Sequence, residues 1–239
     1  MNWLSDLGVA KYLQESGFEL YGIIDTNIQT TKTFKEQEII KFNNVWYFQE
    51  QLSNFSKKYN LEFLKEFENK YGINLWTLLY KDRNFISFNE YYDYSYDELL
   101  SFAEKSAKFY EEILDKVKPS FVYLHTPDYF HVELLYELCK SKGIKILTLS
   151  PTRFPNRYMI SEKTDIIDKN IQYDNQSNNE SYSFDDLQEL MKGYSSKLSL
   201  KTNERRLSIK TKFKGSFHYI FSVCNANYRK YFYNFGRTK

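Results

Sequence analysis

The chain has 239 residues, room for one large domain or two small ones with a sizeable core, and its 33 basic residues nearly balance its 31 acidic ones. A net charge of +2 gives no electrostatic footprint for nucleic acid, so no nucleic-acid partner is expected. No stretch reaches the length of a transmembrane helix, which leaves peripheral membrane contact. The opening Met1-Asn2-Trp3-Leu4-Ser5-Asp6 lacks the basic start and long apolar run of a secretory leader. Cys139 and Cys224 make no disulfide framework, and a reduced, cytoplasmic protein is the natural reading. The 19% aromatic share fits a ring-built core better than a set of sugar-stacking platforms.

Taken in order, residues 5–16 read as a helix with Leu7, Val9, Ala10 and Leu13 on its apolar side and Gly17 as its stop. Residues 18–25 read as a strand. An α/β domain normally opens on a strand, so a helix–strand start suggests a chain that begins late. Residues 26–33 form a polar connector, and 34–48 suit a helix followed by a short strand. Residues 52–70 read as a helix with Leu61, Leu64 and Phe67 inward, broken at Tyr71-Gly72-Ile73-Asn74. A further helical segment is expected at 75–80, and 85–94 is aromatic and irregular. Ser95 with Glu98 three residues on forms a capping box for a helix over 96–117, whose apolar face runs Leu99, Phe102, Ala103, Ala107, Tyr110, Ile113, Leu114 and Val117.

Residues 119–160 organise the rest, and all four prolines lie within them. Phe121–His125 reads as a strand covered on both faces. Thr126 is the expected N-cap and Pro127 the first residue of a helix whose apolar face is Val132, Leu135, Tyr136 and Cys139, ending at Gly143. Residues 144–149 read as a second strand. Strand, crossover helix and strand make a βαβ unit with parallel strands. Such units bind ligands in the crevice beyond the strands' carboxyl ends. Two loops emerge there, one at 125–128 and one at 150–157. Beyond residue 160 a polar loop is expected to about 183. Ser183 with Asp186 offers a second capping box, and 197–214 is basic. The whole reads as an α/β fold, a Rossmann-like parallel sheet flanked by helices, over 1–168. A polar linker at 169–183 and a helical, basic and aromatic extension at 184–239 follow.

The stretches Lys70-Tyr71-Gly72-Ile73-Asn74-Leu75-Trp76, Lys118-Pro119-Ser120-Phe121 and Gly143-Ile144-Lys145-Ile146-Leu147, with the loop from Pro151 to Ser161, resemble the N-terminal half of capsule and surface-polysaccharide biosynthesis proteins of the GT-B glycosyltransferase type. The resemblance runs from about Ala10 to the end. It implies two Rossmann-like domains facing across a cleft, the N-terminal one binding the acceptor and the C-terminal one the nucleotide-sugar donor. This chain matches the acceptor half and lacks the family's first strand. The resemblance therefore implies a truncated chain that holds no cofactor itself, finds its donor site in a missing half, and transfers no sugar alone. A glycan or lipid-linked acceptor, a second-half protein and the inner membrane face are the implied contacts.

Within the two loops, His125 suits a base for an acceptor hydroxyl, against a structural histidine bonded to nearby backbone. Asp128 suits a supporting carboxylate, against a residue that merely favours the positive end of a helix. Arg153 and Arg157, on a loop stiffened by Pro151 and Pro155, suit a pyrophosphate or an acidic sugar, against pairing with Glu162 or Asp165. Thr126 and Asn156 complete the expected acceptor-binding set. His131 lacks the spacing and the third ligand of a zinc site, and no metal is expected. His218 reads as a surface residue. The sequence has no G-x-G-x-x-G, Walker or G-x-S-x-G pattern, which disfavours a dinucleotide dehydrogenase, a P-loop NTPase or an α/β-hydrolase. The alternative class is a non-catalytic binding or assembly module that docks onto a partner chain.

Overall fold

The computed structural model describes residues 3–25, 31, 34–51, 58–82, 85, 94–151, 158–163, 166, 168, 183–186, 188–189 and 192. The described residues divide into two compact units at the Lys118–Pro119 junction. The first holds α1 (Trp3–Glu15), β1 (Tyr21–Ile24), β2 (Asn44–Tyr47), α2 (Phe48–Gln51), α3 (Leu61–Tyr71), α4 (Leu75–Lys81) and α5 (Tyr96–Val117). The second holds β3 (Phe121–His125), α6 (Phe130–Ser141), β4 (Lys145–Pro151) and β5 (Tyr158–Ser161).

In the first unit, β1 and β2 pair in parallel, Tyr21 opposite Asn44 and Ile24 opposite Tyr47. Leu7 of α1 packs with Leu20, Phe34 and Ile40 beside this pair, and Ala10 and Leu13 lie against the same cluster. A second aromatic core forms on α5. Phe48 stacks on Tyr110 at 5.6 Å between ring centres and meets Phe102 and Phe109 edge-on. Burying a ring of this size stabilises by roughly 1.5–3 kcal/mol.

The capping box of α5 is present as expected. The Glu98 N–H donates to Ser95 Oγ at 3.3 Å, and the Ser95 N–H donates to Glu98 Oε2 at 3.1 Å. Gly72 sits at φ +66°, a conformation costly for any residue with a Cβ, and turns α3 into α4. The expected helix over 52–70 has described helical residues from Leu61, not earlier. Asn60 is its N-cap, its side chain accepting from the Phe63 N–H at 3.1 Å, while the Asn60 N–H itself donates to Glu104 of α5 at 2.7 Å. Leu61, expected inward, is exposed, and Leu64 and Phe67 carry the packing.

In the second unit, β3 and β4 are parallel, Phe121 opposite Lys145 and His125 opposite Leu149. α6 is the crossover between them and packs on β4. The βαβ reading therefore holds, with three corrections. First, α6 starts at Phe130 rather than at Pro127, and its N-cap Tyr129 makes no side-chain capping bond. Thr126 does not cap the helix, because its hydroxyl is engaged across the sheet end with Ser150. Second, the buried face of α6 is Phe130, His131, Leu134, Leu135, Leu138 and Cys139, while Val132 and Tyr136 are half-buried. The face is turned by about one residue from the expected one. Third, β3 is not covered on both faces along its length: Leu124 is buried and its other residues are half-buried.

The single parallel sheet expected from the sequence is also corrected. Among the described residues there is a two-stranded parallel sheet and a three-stranded mixed sheet in the order β3-β4-β5. β5 runs antiparallel to β4, Pro151 opposite Tyr158 and Thr148 opposite Ser161. The reason is connection length. Residues 152–157 suffice for a return turn, whereas a parallel crossover needs a dozen residues or more. No described helix is long and apolar enough to cross a membrane.

Candidate functional site at the strand ends

Register partners share a face of a sheet, and alternate residues along a strand share it too. Leu124, Thr148 and Ser161 therefore lie on one side, with Ile146 and Ser150 flanking Thr148 along β4. Thr148 is fully buried, with 0% exposure, and Ser150 keeps 3%. Buried hydroxyls at such positions need partners. Thr148 Oγ1 donates to the Ser161 carbonyl at 2.9 Å, and Ser161 Oγ donates to the Lys163 carbonyl at 2.6 Å. Ser150 Oγ and Thr126 Oγ1 share a hydrogen bond at 3.1 Å. The last bond joins the segment that follows β3 to the end of β4.

His125 is the last residue of β3. It is half-buried, with its ring 6.5 Å from that of Tyr123 on the same face. Asp128 is exposed and precedes the N-cap Tyr129, near the positive end of α6. His131 is 3% exposed on the core side of α6, its ring stacked on Tyr129 at 6.1 Å and 13°. A histidine so placed is part of the packing. Cys139, also on that face, has its thiol pushed up to about 12 by burial, which makes it an inert apolar group at neutral pH.

The geometry thus brings Thr126 and Ser150 together where β3 and β4 end, while His125, opposite Leu149, ends β3 on the other face of the sheet, beside Tyr123. Arg153, Asn156 and Arg157 lie outside the described residues, in the segment that joins the paired residues Pro151 and Tyr158. Of the acidic partners considered for the arginines, Glu162 takes Lys145 at 2.8 Å, and Asp165 is likewise outside the described residues. His218, Cys224 and the basic stretch 197–214 are outside them as well. Ser183 and Asp186 are bonded as a cap, Ser183 Oγ donating to the Asp186 carboxylate at 2.6 Å. This bond holds the Asp186 carboxyl below its usual range.

Ser150 and Thr148 were not singled out by residue type. Their signal was the period-two placement of Thr148 and Ser150 in an otherwise aliphatic strand, which reads equally as a solvated face. Among the described residues no group of three or more His, Cys, Asp or Glu could hold a metal ion. Compared with family models, with curated proteins and with solved structures, the chain has no match.

Proposed function

We propose that the chain is the acceptor-side domain of a GT-B-like glycosyltransferase of capsule or surface-polysaccharide assembly, with the parallel pair β3-β4 and its crossover helix as a Rossmann-like element. The observation that carries this reading is the crossover β3–α6–β4, with Thr126 and Ser150 bonded where its strands end. Open α/β sheets take their ligands beyond the carboxyl ends of their strands. In the reaction, an acceptor hydroxyl attacks the anomeric carbon of a nucleotide-sugar, the bond from that carbon to the diphosphate breaks, and the nucleoside diphosphate leaves. The hydroxyl's proton passes to His125, with Asp128 in support. Arg153 and Arg157 hold an anionic group of the acceptor, and Thr126 and Asn156 hydrogen-bond its neighbouring oxygens. The donor is bound by a second domain, on a longer chain or on a partner, so transfer requires that domain.

The test is equilibrium binding of a short prenyl pyrophosphate and of an acidic disaccharide to the protein and to its Arg153→Ala/Arg157→Ala variant. The double substitution should weaken binding of one probe at least tenfold while leaving the circular dichroism spectrum intact. Equal binding of both probes by the two proteins removes the arginines from the site. Binding that survives while no sugar transfer occurs in the presence of a donor-binding domain supports a binding module instead.

A further inference from the structure

We draw no further inference here: the strongest candidate, the exposed aromatic patch where Trp76 of α4 meets Tyr96 at the start of α5 with ring centres 5.6 Å apart, carries nothing because nothing in the structure shows what covers it.

Discussion

Replacing Thr148 with valine should loosen β5 from β4 without changing the shape of the core. The substitution keeps both branches of the side chain and removes one donor. In the wild type that donor reaches the Ser161 carbonyl at 2.9 Å, with Ser161 Oγ 3.3 Å away, and both residues are fully buried. With both residues buried, the cost approaches the desolvation penalty of an under-satisfied group, about 2 kcal/mol. That corresponds to roughly thirtyfold faster amide exchange wherever exchange proceeds through opening of this pair, taking about 1.4 kcal/mol per factor of ten. Thr148→Ser is the matched control. It retains the donor and loses one methyl, worth about 0.8 kcal/mol or a factor near four. Hydrogen exchange resolved to peptides spanning residues 158–161 is the assay. Tryptophan fluorescence is unsuitable, because Trp3, Trp46 and Trp76 all precede the second unit. Equal exchange in the valine variant and the wild type, or a serine variant as loose as the valine one, would refute the claim that this hydroxyl fixes the β4–β5 register.

Three further outcomes are expected. Glu104, 9% exposed, accepts the Asn60 N–H and pairs with Lys108, so Glu104→Ala should cost about 2 kcal/mol in urea unfolding and Glu104→Gln less, since the amide oxygen can still accept. Lys118 holds φ +49° at the end of α5 and precedes Pro119, so Lys118→Gly should raise stability by about 0.5–1 kcal/mol in the same assay, and a loss would show that its side chain matters more than its backbone. Burial moves the Cys139 thiol from its ordinary 9.0 to about 12. Between those values the unfolded chain has lost the proton and the folded chain keeps it. Stability must therefore fall as pH rises through that window, by at most about 1.4 kcal/mol per pH unit from this group. Unfolding curves from pH 8 to 11 should show a shallower alkaline decline for Cys139→Ala than for the wild type, and parallel declines would remove this source.

Legibility tracked the range of the interactions involved. The capping box of Ser95 and Glu98 and the turn at Gly72 depend on neighbours three or four residues away, and both are found where the sequence puts them. β3 and β4 were legible because short aliphatic runs flanking a helix admit few arrangements. The start of α3 is marked locally by Asn60, whose side chain accepts from the Phe63 N–H three residues on, a capping signal that the apolar pattern of 52–70 does not carry. The start of α6 lies beyond its local signal because of a contact distant in sequence. Thr126-Pro127-Asp128 is a good local helix opening, but the Thr126 hydroxyl is taken by Ser150, 24 residues on. Residues 126–129 then serve to carry the chain from the end of β3 to the helix.

The same contrast governs the candidate site. On hydrophobicity alone, β4 would turn Leu147 and Leu149 to the core and expose Thr148 and Ser150. The structure buries the two hydroxyl residues together with Leu149 and leaves Leu147 half-buried. Apolar pattern therefore cannot set the register, since both faces of β4 offer aliphatic residues and a slip of one position would exchange them. The hydroxyls can set it. Thr148 meets the Ser161 carbonyl only when β5 pairs as it does, and Ser150 meets Thr126 only when the ends of β3 and β4 are level. A slip would strand buried donors at a cost of about 1–3 kcal/mol each, more than a change of aliphatic partner would return. The polar pairs thus fix where β4 ends and where β5 begins, and with them the two points from which the segment carrying Arg153, Asn156 and Arg157 departs and returns.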